Sequence, residues 1–96
     1  MIKTLIIEDE QKSRDVLMKI IEKNCPELNV VGSATNVIEG VELIKSLKPD
    51  LVFLDITMPD GSGFDLLEQV SDHKFELIFA TASNSHAVRA FKYSAC

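Results

Sequence analysis

The run Leu51-Val52-Phe53-Leu54 is apolar at every position. A strand with one face in water alternates apolar and polar residues. Four apolar residues in succession suit a strand buried on both faces, as in parallel sheets covered by helices on both sides. Pro49 bounds the run on one side, and Pro59, Gly61 and Gly63 follow on the other. Asp55 ends the run, so its carboxylate is expected at the carboxyl edge of the sheet, where open α/β sheets hold their ligands. A second apolar run, Ile2 to Ile7, ends the same way in Glu8-Asp9-Glu10. Two strands that deliver carboxylates to one edge make a candidate divalent-cation site with a nucleophilic carboxylate beside it.

The rest of the chain alternates strand-like and helix-like segments with short joins. After Ile2–Ile7, Asp9 or Glu10 can cap a helix whose apolar stripe is Val16, Leu17, Ile20 and Ile21. Pro26 ends it, and Leu28 to Gly32 reads as a second strand. Asn36 is a suitable N-cap, and Val37, Val41, Ile44 and Leu47 step along one helical face as far as Lys48-Pro49. Beyond Asp55, the segment from Ile56 to Gly63 reads as a turn. Phe64, Leu67 and Val70 then suggest a short third helix. Glu76 to Ala80 reads as a fourth strand, and Ser83 or Asn84 can cap a fourth helix carrying Ala87, Ala90 and Phe91. Four β-then-α units imply a doubly wound α/β fold with a parallel sheet and right-handed crossovers.

Composition narrows the function. The chain has 96 residues, 46% of them hydrophobic, enough for one small domain with its own core. Its net charge of −5 argues against a grip on nucleic acid, which needs a basic surface, and is compatible with a cation site. Cys25 and Cys96 are too sparse for a disulfide framework and lack metal-ligand spacing. No stretch reaches the length of a membrane span, and the first residues run directly into a strand pattern. A cytoplasmic location is expected.

Three segments, in this order and spacing, carry a resemblance over essentially the whole chain: Leu5-Ile6-Ile7-Glu8-Asp9-Glu10, then Pro49 to Gly63 around Asp55, then Phe79-Ala80-Thr81-Ala82. The chain resembles the receiver domain of two-component response regulators. The run Ala87-Val88-Arg89-Ala90-Phe91 resembles the LytR/AlgR branch, whose regulators carry a DNA-binding LytTR domain. The resemblance implies a flavodoxin-like sheet of strand order 2-1-3-4-5. It implies that Asp55 accepts a phosphoryl group from a sensor histidine kinase. Asp9 and Asp55 would bind Mg²⁺ directly, Glu8 would assist through water, and the Thr57 carbonyl would be a further ligand. Thr81 would contact the phosphoryl group and act as the switch, and the small Ala82 would leave room for it. In the family the first helix docks kinases, which makes Arg14 and Val16 partner candidates.

The sequence departs from the family at its end, where the fifth strand, its lysine and the fifth helix are missing. Lys92 belongs to the expected fourth helix and does not replace that lysine. Residues 1–96 therefore read as a C-terminally truncated receiver without an output domain, so DNA binding would belong to a missing segment. The expected role is a signalling switch rather than a turnover enzyme.

Other readings compete. Asp is also a common turn initiator, acidic residues favour helix N-termini, and Thr81 alone would be an ordinary strand or cap residue. A non-catalytic module that forms homo-oligomers through the exposed fourth strand and last helix is a second possibility. A phosphohydrolase with a strand-end aspartate, as in the haloacid dehalogenase group, would need a second acid where Thr57 stands.

Overall fold

The computed structural model describes residues 2–79. Strands β1 (Ile2–Ile7), β2 (Leu28–Ala34), β3 (Leu51–Leu54) and β6 (Glu76–Phe79) form one parallel sheet in the order β2-β1-β3-β6. Between β3 and β6 lie two short antiparallel strands, β4 (Thr57–Met58) and β5 (Gly61–Ser62), which make a separate hairpin. The helices are α1 (Gln11–Asn24), α2 (Val37–Leu47) and α3 (Gly63–Gln69). The expected α/β class, the parallel sheet and its order all hold. Ala80 and the expected fourth helix lie outside the described residues.

Side-chain alternation along the strands splits the core into two layers. Leu5, Ile7, Val52 and Leu54 point to the side of α2 and α3, where they meet Val41, Ile44 and Leu66. Ile6, Leu51, Phe53 and Ile78 point to the other side, against Leu17 and Ile21 of α1. Every residue of β3 is buried, which accounts for its unbroken apolar sequence. Fully burying one such side chain contributes about 1.5–3 kcal/mol.

Local chemistry explains most of the boundaries. The Asn36 side chain accepts a hydrogen bond from the Glu39 N–H at 2.8 Å and caps α2. That helix closes at Lys48, which takes the left-handed conformation with φ 50°. Ser62 and Asp65 form a reciprocal capping box on α3, with bonds of 3.2 and 2.9 Å.

Four expectations need correction. β2 runs on to Ala34 rather than ending at Gly32, because a register shift opposite Thr4 and Leu5 absorbs one residue and lets pairing continue. Glu10 takes the N-cap position of α1 without a side-chain cap bond; its carboxylate instead accepts from the Ser13 hydroxyl. Val16 is 56% exposed, since α1 turns Leu17 and Ile21 to the sheet. Phe64 is also exposed, because α3 buries Leu66; the Phe64 ring lies 5.4 Å from that of Phe79 at the end of β6.

Candidate functional site

The strand order creates a crevice between β1 and β3. From β1 the chain crosses to one flank of the sheet through α1, and from β3 it crosses to the other flank through the hairpin and α3. Loops therefore diverge at the carboxyl ends of these two strands, where an α/β sheet opens to ligands. Glu8 and Asp9 follow β1, and Asp55 follows β3. The pairing of Ile7 with Leu54 brings these ends side by side. The ladder continues one step further, with the Asp55 N–H donating to the Ile7 carbonyl at 2.9 Å. On the other flank, the Glu8 N–H donates to the Ala34 carbonyl at 3.0 Å.

Glu8, Asp9 and Asp55 each place a carboxylate oxygen within 4.8 Å of the others. Glu8 and Asp55 are buried, whereas Asp9 faces solvent. Burial pushes the Glu8 carboxyl up to about 8, helped by hydrogen bonding to the side chains of Asp55 and Asp9. The Glu10 N–H, 3.3 Å from Glu8 Oε2, works in the opposite direction. Among the described residues no lysine or arginine pairs with these three carboxylates. The Arg14 guanidinium is near but donates to the Glu8 carbonyl at 2.8 Å. Arg14 is half-buried against the strand end.

Crowded carboxylates that lack a cationic side chain fit a hard divalent cation. Mg²⁺ takes oxygen ligands, typically one or two carboxylates and several waters. Raised proton affinity at Glu8 is the electrostatic counterpart of that fit, since a proton fills the place a cation would take.

The remaining expected residues fall in two groups. Thr57 lies in β4, paired with Ser62 and two residues beyond Asp55, with its side chain exposed. Thr81 and Ala82 lie outside the described residues. Sequence reasoning passed over Gly63. An added Cβ there would lie 2.7 Å from the Asp55 carbonyl oxygen and about as close as 3.1 Å to Leu54 Cγ. Its N–H donates to the Ile56 carbonyl at 2.7 Å, so α3 begins directly against the acidic strand end. The Gly61-Ser62-Gly63 cluster signalled a turn, but not this approach. Asp60 was passed over as well; its carboxylate binds the backbone of α2.

Comparison with known proteins gives a consistent picture. The profile of the response regulator receiver domain matches residues 4–96. A response regulatory protein of Vibrio cholerae is 40% identical over 96 residues, which cover 99% of this chain and 40% of that protein. The sensory transduction protein LytT of Enterococcus faecalis is 40% identical over 93 residues, covering 95% of this chain and 38% of that protein. The chain thus spans about two fifths of the length of these relatives. Among solved structures, a chain of the CheX–CheY–BeF3–Mg²⁺ complex of Borrelia burgdorferi superposes with a TM-score of 0.75 at 27% identity. The match covers 84% of this chain and 62% of that one.

Proposed function

The chain belongs to the response regulator receiver domain family, and from that premise we propose that Asp55 is its phosphoacceptor in a Mg²⁺-dependent two-component relay. The observation that carries this reading is the buried Asp55 at the end of the central strand, with Glu8 and Asp9 carboxylates within 4.8 Å. The complex that holds the Borrelia neighbour contains Mg²⁺ and BeF3, which supports a reading in which this fold meets a divalent cation.

In the proposed reaction an Asp55 carboxylate oxygen attacks phosphorus. The bond from phosphorus to the imidazole nitrogen of a kinase phosphohistidine breaks, and its electron pair stays on that nitrogen. Asp9, Asp55 and the Thr57 carbonyl would hold the cation, with Glu8 through water. When bound, Mg²⁺ neutralises charge between the carboxylate and the incoming phosphoryl group. The burial of Asp55 limits water around the acyl phosphate that forms. The Asp55 N–H bond to Ile7 fixes the nucleophile's backbone against β1. Thr81 would then contact the phosphoryl group and convert phosphorylation into a conformational change, with Ala82 leaving the space. The chain is on this reading a cytoplasmic signalling switch of the LytTR-type branch; DNA binding would belong to an output domain and not to residues 1–96. Among the described residues no helix is long and apolar enough to cross a membrane.

Intact mass after incubation with acetyl phosphate tests the proposal. One phosphoryl adduct is expected with Mg²⁺, none with chelator, and none in Asp55→Asn. An adduct that persists in Asp55→Asn removes Asp55 from the role.

Self-association is a second reading that β6 favours. Among the described residues β6 pairs only with β3, and its Leu77 and Phe79 are half-buried. An apolar edge strand is a template for pairing with a second copy. Sedimentation equilibrium should show a mass that rises with concentration; a constant monomer mass rejects this reading.

A further inference from the structure

Asp60 lies between β4 and β5, five residues beyond Asp55, and its carboxylate reaches a different element. Oδ1 accepts a hydrogen bond from the Val37 N–H at 2.8 Å, and Oδ2 accepts one from the Ile38 N–H at 3.2 Å. These are the first two backbone donors of α2, which have no partner within the helix. Asn36 satisfies the donor at Glu39. The helix N-terminus favours an anion, and the bond from Val37 followed by that from Ile38 holds the Asp60 carboxyl below its ordinary range.

The segment that Asp60 holds is the one that presents Thr57. Besides the β4–β5 pairing, residues 56–62 are held at three points among the described residues. The Gly63 N–H closes onto the Ile56 carbonyl, and the Ser62–Asp65 box anchors the far end to α3. Both of these tie the loop to its own continuation. Among the described residues, the side-chain bonds from this hairpin to α2 are those of Asp60. Gly61, with φ 153°, lets the chain turn back directly after it.

We infer that Asp60 is a positioning residue for the cation site: its two-point bond to α2 sets the path of the loop that carries Thr57, whose carbonyl is the further ligand proposed above. The inference rests on the Mg²⁺ reading given above. A metal site depends on groups that orient its ligands, and their loss typically weakens binding by about 10–100-fold. Here a backbone carbonyl is oriented through the loop that carries it, so the lower end of that range applies.

Mn²⁺ serves as the probe, with the free ion counted by electron paramagnetic resonance on the 96-residue chain. Asp60→Ala is expected to weaken Mn²⁺ binding roughly tenfold. Asn36→Ala removes the helix's own cap and leaves the hairpin bond in place. It should lower the melting temperature while keeping Mn²⁺ affinity within about twofold of the parent. Asp60→Asn keeps one acceptor oxygen and should fall between. Parent-like affinity in folded Asp60→Ala overturns the inference. So does an equal loss of affinity in Asn36→Ala, which would mean that helix stability alone matters. If Asp60→Ala does not fold, parent-like affinity in Asp60→Asn overturns it. Absence of Mn²⁺ binding in the parent chain is a separate result, seen in the first titration, and rejects the Mg²⁺ reading itself.

Discussion

The raised proton affinity of Glu8 makes stability depend on pH with a definite sign. Its carboxyl titrates near the ordinary 4.5 in the unfolded chain and about 8 in the folded one. Between these values the folded state holds one proton more than the unfolded state, so stability falls as pH rises. The contribution is complete below about pH 4.5 and is lost as the pH passes through 8. One proton corresponds to a slope of about 1.4 kcal/mol per pH unit. From pH 5.5 to 7.5 the metal-free chain should therefore lose roughly 2–3 kcal/mol, a large part of a small domain's margin. Glu8→Gln mimics the protonated form, because its carboxamide can accept from the Glu10 N–H and donate to the Asp55 carboxylate. It should flatten the slope and leave the metal-free variant more stable than the parent at pH 7.5. Mg²⁺ should reverse the order, since the cation needs the deprotonated cluster; at 100 times its Kd it adds about 2.7 kcal/mol to the parent. Urea unfolding followed by circular dichroism, at several pH values with EDTA or Mg²⁺, checks all three statements. A parent slope that is flat or rising in EDTA, or a Glu8→Gln slope parallel to it, refutes the reasoning.

Two further predictions concern the backbone. Gly63→Ala forces a Cβ to 2.7 Å from the Asp55 carbonyl oxygen, a backbone atom that cannot rotate away. A loss of about 2–3 kcal/mol and slower labelling of Asp55 are expected, and an unfolding free energy from urea titration within about 0.5 kcal/mol of the parent would contradict the close approach. Lys48→Gly removes the left-handed strain at the end of α2 and should stabilise the chain by roughly 0.5–1 kcal/mol. Thermal unfolding reads this directly, and a drop in melting temperature counts against it.

How far the sequence discloses this architecture depends on how local each signal is. The carboxyl ends of β1 and β3 are legible to the residue because Leu5 to Ile7 and all of β3 are buried on both faces, so the apolar runs stop where the strands do, whereas Ile2 and Lys3 at the start of β1 are exposed. Asn36 was legible because a short amide before an apolar helical pattern has little else to do than cap. The end of β2 is not legible, since Gly32-Ser33 resembles a turn while the continued pairing depends on a register shift against β1. Val16 and Phe64 failed for another reason. Periodicity tells that a helix has an apolar side but not how wide the contact with the sheet is, and both residues fall beyond its margin. The hairpin of β4 and β5 has two residues per strand, too few for any pattern to register. Asp60 bonds to residues 22 and 23 positions earlier, a relation that only the folded chain reveals.

The acidic site shows the same division between what strand ends disclose and what packing adds. That Glu8, Asp9 and Asp55 share one sheet edge follows from two apolar runs that each stop at a carboxylate. That Glu8 resists ionisation does not, because it follows from burial between Asp55, Asp9 and the end of β1. The sheet holds these groups together regardless of their repulsion. The Ile7–Leu54 pairing and the Asp55 N–H bond to Ile7 are set by the apolar core beneath them. Core burial thus maintains a cluster that is electrostatically unfavourable when fully ionised. A proton or a divalent cation relieves it, and the two compete for the same oxygens. Above pH 8 the proton is gone and the cation meets no competitor, so metal affinity should rise with pH while the metal-free fold loses stability, and saturating cation should flatten that loss.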